Sequence, residues 1–122
     1  SIGFLKHFGP PSDRIPSSRY AQCQTIAVPV AKTDSVITRD ELPTPAIVKI
    51  DVEGAEVAVL QGAQDLLTLH KPVLFVEVHN IKAMFHIQQL LYDLGYEVRL
   101  LDPEHTSSSR CFIVAQPNTR GL

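Results

Sequence analysis

Residues 47–56, IVKIDVEGAE, read as a strand that stops at a carboxylate, turns at a glycine and opens a helix. Val48, Ile50 and Val52 alternate with Lys49, Asp51 and Glu53, so an extended backbone puts the three charges on one face. Lys49 falls near the middle of that strand and calls for an acid beside it, since a buried unpaired charge costs on the order of several kcal/mol. Gly54 frees the backbone at the turn. Glu56 then lies in the first helical turn, where the positive end of the helix dipole favours an anion. Acids at the carboxyl end of a parallel strand stand where open α/β sheets bind ligands.

The segments on either side decide what kind of sheet this strand enters. Upstream, Gly3, Gly9, Pro10, Pro11 and Pro16 interrupt any regular pattern. Residues 23–30, CQTIAVPV, are short and β-branched, but Pro29 demotes them to an edge strand at most. Residues 34–42 predict a helical turn that Pro43 and Pro45 end. Residues 1–45 are therefore an irregular N-terminal segment with at most one edge strand, and residues 46–122 form an α/β unit. Downstream, Val57, Leu60, Gln64 and Leu67 give a helical stripe over residues 55–70, with Gly62 marking close packing or a local end. Residues 73–78, VLFVEV, are almost wholly apolar, as in a strand covered on both faces, and lead into the polar run Glu77, His79, Asn80. Met84, Ile87, Leu91 and Leu94 make the inward stripe of a helix over residues 81–94, which Gly95 terminates. Strands follow over residues 96–101 and 111–115. The order strand, helix, strand, helix, strand, strand predicts three parallel strands joined by right-handed crossovers, closed by an antiparallel hairpin.

Composition narrows the class of function. The 122 residues suit one domain, and the formal charge of −2 argues against nucleic acid or an anionic membrane as partner. No apolar run approaches the roughly 18 residues of a membrane span, and no secretory signal opens the sequence. Cys23 and Cys111 fit no metal or redox spacing and read as free thiols in a reducing, cytoplasmic compartment.

The polar residues gather on paper at one rim. Alternation puts Glu77 and His79 on one face of their strand, and Lys49, Asp51 and Glu53 on one face of the preceding strand. A carboxylate or imidazole there could act as general base toward a hydroxyl or amine. Asp51, Glu77 and His79 could hold a divalent cation, as in a metal-dependent hydrolase. Simpler roles stand beside these: an ion pair for Lys49 with Glu77, a cap or solvent contact for His79, and helix-dipole electrostatics for Glu53 and Glu56. Asp51 is favoured as functional because its position, the turn glycine and the neighbouring acids agree. The chain has no Gly-x-Gly-x-x-Gly turn, no Walker lysine, no Gly-x-Ser-x-Gly elbow and no Cys-x-x-Cys.

The runs VKIDVEGAE (residues 48–56), VLQGA (59–63), KPVLFVEVH (71–79) and LGY (94–96) closely resemble the methyltransferases of the FkbM type. That resemblance implies a partial class I methyltransferase (Rossmann-like) sheet, with Asp51 ending the fourth strand, Glu77 in the fifth, and the hairpin as the sixth and seventh. It implies S-adenosylmethionine as cofactor of the complete fold, and O-methylation of a sugar or natural-product hydroxyl. Asp51, Glu77 and His79 become the catalytic candidates, and Lys49, Glu53, Glu56 and Asn80 the candidates for a polar, sugar-like acceptor. The family's first three strands, glycine-rich turn and ribose-binding acid have no counterpart in these residues. The expectation is a truncated domain, inactive alone, with cofactor residues unassigned, no metal, and no S-adenosylmethionine held by this chain by itself. The free edge of the motif strand then calls for cover by residues 23–30, by a second copy in a homodimer, or by an N-terminal half. A non-catalytic dimerisation or docking domain is the alternative function.

Overall fold

A computed structural model describes residues 24–105, 107 and 109–119. The sequence features placed on residues 1–23, Cys23 among them, lie outside the described residues. The chain divides into two compact units, residues 1–31 and 32–122. Residues 24–31 of the first unit carry neither helix nor strand, in keeping with Pro29.

The second unit begins with helix α1, Thr33–Arg39, followed by strand β1, Ile47–Ile50, and helix α2, Glu56–Gln61. A π-helical turn, Leu66–His70, leads into strand β2, Val73–Val78. Helix α3, Ile81–Asp93, strand β3, Tyr96–Leu100, a short 3₁₀ turn and strand β4, Cys111–Pro117, complete it. The four strands form one sheet in the order β1-β2-β4-β3. β1 and β2 are parallel, with Lys49 opposite Phe75, while β4 runs antiparallel to both β2 and β3. β3 is therefore parallel to β1 and β2, and the last two strands are the expected hairpin.

One face of the sheet makes the core. Ile50, Leu74, Val76, Val78, Ile113 and Ala115 meet Leu60 of α2 and Ile87 and Leu91 of α3, all nearly without exposure. The i, i+4 spacing of Ile87 and Leu91 puts both on one side of α3, and Asn80 caps that helix by accepting a 2.7 Å hydrogen bond from the Ala83 N–H.

The single helix expected over residues 55–70 is broken. α2 stops at Gly62, where an added Cβ would lie 3.5 Å from the Lys32 backbone, so that glycine marks both a close approach and an end. Asp34 of α1 supplies what the break needs. Its carboxylate accepts from the N–H groups of Asp65 and Leu66 at 2.8 and 3.0 Å, taking two donors at the start of the π-helical turn. Lys71 ends that turn in the left-handed region, and its ammonium donates to Leu94 O at the end of α3. No helix among the described residues is long and apolar enough to cross a membrane.

Candidate functional site at the ends of the parallel strands

Parallel pairing of β1 with β2 delivers the residues after each strand to the same rim. Asp51 follows the last residue of β1, Glu77 is the penultimate residue of β2, and His79 follows its end. The three side chains converge. His79 Nε2 lies 3.8 Å from Asp51 Oδ1 and 3.6 Å from Glu77 Oε1.

Beneath them sits Glu56, whose side chain is wholly buried. Its Oε1 accepts from the Gly54 N–H at 2.9 Å and bonds His79 Nδ1 at 2.5 Å. Burial acts to raise the Glu56 pKa, but the Gly54 N–H and the imidazole outweigh it and hold the carboxyl below its ordinary value. An ionised carboxylate only accepts, so Nδ1 carries the hydrogen and Nε2 is the nitrogen turned to Asp51 and Glu77. The bond to Glu56, against partial desolvation and with help from the charges of Glu77 and Asp51, raises the His79 pKa. Glu56 Oε2 has no hydrogen-bond partner among the described residues.

The turn explains how an acid comes to lie under the rim. Glu53 and Gly54 both take positive φ, 47° and 107°, which reverses the chain between Asp51 and α2. The first turn of α2 then brings Glu56 onto the same side as Leu60, four residues on, facing the core. Sequence reasoning put Glu56 at a helix start, where a surface carboxylate suffices. The sign of its burial was that i, i+4 relation to Leu60.

The remaining candidates are less closely gathered. Lys49 shares a face with Phe75 and Glu77, but it is exposed and forms no ion pair among the described residues. Water solvates its ammonium, so the expected Lys49–Glu77 pair would gain at most about 1 kcal/mol. Glu77 meets Arg110 instead, at 3.3 Å, and that guanidinium also lies over the Phe112 ring at 5.8 Å. Arg110 escaped the sequence reading because only the β2–β4 register, with Glu77 opposite Phe112, brings the hairpin back to this point. Glu53 is exposed at the turn, and the Asn80 oxygen is committed to the α3 cap.

Two electrostatic states suit this cluster. A proton on Nε2 makes an imidazolium between Asp51 and Glu77. Alternatively, one ligand atom from each of Asp51, Glu77 and His79 lies within 4.8 Å of the others, a spacing open to a first-row divalent cation. The described residues do not fit S-adenosylmethionine in the same way. Their glycines, Gly54, Gly62 and Gly95, stand singly, and none forms a glycine-rich turn after a strand.

A separate cavity of about 360 Å³ opens at the same end of the sheet, between α3 and the ends of β2 and β3. Val78, Met84, Val98, Leu100 and Cys111 form much of its wall.

No curated protein matches the chain. Among solved structures, the crystal structure titled precorrin-6y C5,15-methyltransferase from Geobacter metallireducens superposes with a TM-score of 0.50 at 16% identity. The match covers 75% of this chain and 52% of that one, so the chain spans about half the length of its structural neighbour. At this identity the likeness concerns the fold, a partial class I methyltransferase sheet. The family profile described as the Methyltransferase FkbM domain matches residues 3–98, most of the chain, and on that match the chain belongs to the FkbM methyltransferase family.

Proposed function

We propose that this chain supplies the acceptor side of an S-adenosylmethionine-dependent O-methyltransferase acting on a sugar or natural-product hydroxyl. The observation that carries the proposal is His79, fixed from below by buried Glu56 and facing Asp51 and Glu77 at the strand ends.

A hydroxyl is a poor nucleophile until its proton is removed. His79 Nε2 takes that proton as general base, and the imidazolium formed is stabilised by the Glu56 carboxylate on Nδ1. Asp51 and Glu77 draw the same proton toward Nε2 and orient the acceptor. The raised His79 pKa makes the imidazole a stronger base and moves the onset of its neutral, proton-accepting form to higher pH. S-adenosylmethionine, when bound, would supply the methyl group.

The test uses the full-length protein with S-adenosylmethionine and hydroxyl acceptors. His79→Ala is expected to reduce methyl transfer by about 10²–10⁴-fold, the range of general-base contributions, with an unchanged circular dichroism spectrum. Asp51→Ala is expected to abolish turnover with the fold intact. Wild-type turnover in both variants removes the proposal. Failure of the full-length protein to bind S-adenosylmethionine favours the docking function instead.

A further inference from the structure

We infer that the cavity between α3 and the ends of β2 and β3 binds the body of the methyl acceptor, and that this body is apolar, a phenol or ring-bearing alcohol. The inference rests on the proposed O-methyltransferase reading and chooses between its substrate classes.

Val78 is the last residue of β2, Leu100 the last of β3 and Cys111 the first of the antiparallel β4, so the cavity opens at the carboxyl ends of the parallel strands. That is where open α/β sheets take their ligands. Val78 and Asn80, the chain neighbours of His79, both line it, while His79 itself does not. Arg110 lines it as well and reaches Glu77 of the His79 cluster. A ligand seated here is therefore linked to the His79 cluster through Arg110.

A volume of about 360 Å³ falls within the roughly 300–1,000 Å³ of small-molecule sites. The wall is made largely of aliphatic and sulfur side chains, with Cys111 Sγ 3.8 Å from Met84 Sδ. Exposed Ile81 and Phe85 continue the apolar surface outward.

Three of the polar groups at the margin have partners of their own. The Asn80 oxygen caps α3, the Arg99 guanidinium bonds Gln116 at 2.9 Å, and the Arg110 guanidinium is on Glu77. The Arg99 charge, which a neutral amide does not cancel, stays at the margin and leaves the wall itself uncharged. A sugar carries a hydroxyl on nearly every carbon, and each one left unpaired against this wall weakens binding by roughly tenfold. A fused aromatic or alicyclic ring with one hydroxyl matches the wall and can turn that hydroxyl to the rim.

The probe is 2-naphthol, titrated into the chain and followed by methyl and amide NMR, with methyl glucoside as comparator. Naphthol is expected to shift the signals of Met84, Val98 and Leu100, while the glucoside leaves them unmoved. Leu100→Arg, at a position 45% exposed and so tolerant of change, is expected to weaken naphthol binding tenfold or more. No naphthol binding at millimolar concentration overturns the inference. So do shifts that map elsewhere, equal binding of the glucoside, or unchanged affinity in Leu100→Arg. The readout is binding, so its failure removes the cavity assignment and leaves the His79 proposal standing. Loss of the His79 role would conversely leave the titration unaffected.

Discussion

The Glu56 carboxylate, with no exposure to solvent, holds His79 Nδ1 at 2.5 Å and so decides which ring nitrogen faces Asp51 and Glu77. A carboxylate behind a histidine sets its tautomer and its basicity together. Glu56→Gln keeps the shape and removes the charge. The His79 pKa is then expected to fall toward its ordinary value of 6.5, because the bond to Glu56 is the foremost cause of its rise. Histidine NMR titration of the two proteins reads the shift directly, and an unchanged His79 titration would separate the two residues energetically.

Stability should follow pH in a manner set by the same pair. The folded His79 pKa is raised, so its contribution is fully present below the unfolded value near 6.5 and is lost as pH climbs through the folded value. The folded Glu56 pKa is lowered, so its contribution is present above the unfolded value near 4.5 and is lost as pH falls through the folded value. Urea midpoints of the wild type are expected to be highest between those limits. The alkaline decline should be shallower in His79→Ala, and the acid decline shallower in Glu56→Gln. Parallel pH profiles for wild type and variants would refute the linkage.

The reach of sequence reasoning is itself physical. Strand periodicity, the glycine turn and the helix stripes depend on neighbours in the chain, and they placed β1, β2, α3 and the hairpin. The convergence of Asp51 with Glu77 followed from two parallel strands ending together. Glu56 under His79 and Arg110 on Glu77 did not follow, because each contact joins residues 23 or 33 positions apart through packing that no local pattern encodes. The break at Gly62 was visible as a glycine, but its cause, the Lys32 backbone alongside and Asp34 bridging to Asp65 and Leu66, lies in another helix.

The core carries a prediction independent of the site. Leu91 is fully buried on the inner side of α3. Leu91→Ala should cost about 2–5 kcal/mol, the range for large-to-small changes in close-packed interiors. Urea unfolding measures it. A cost below about 1 kcal/mol would mean that α3 does not pack on the sheet as described.

Gly95 joins α3 to β3 at φ 78°, a left-handed conformation in which side chains are strained, and an added Cβ would come within 3.2 Å of Lys71 Nζ. The two effects can be separated. Lys71 donates to Leu94 O at 2.6 Å and sits 5.8 Å from the Tyr96 ring, but its ammonium ends a flexible chain and can retreat a few tenths of an ångström. Backbone strain cannot be relieved that way. Gly95→Ala is therefore expected to destabilise by about 1–2 kcal/mol, and by nearly the same amount when Lys71 is already alanine. If the penalty vanishes in Lys71→Ala, the close contact is its cause and the backbone at residue 95 is not strained. Chemical denaturation of the wild type, the two single variants and the double variant closes the cycle.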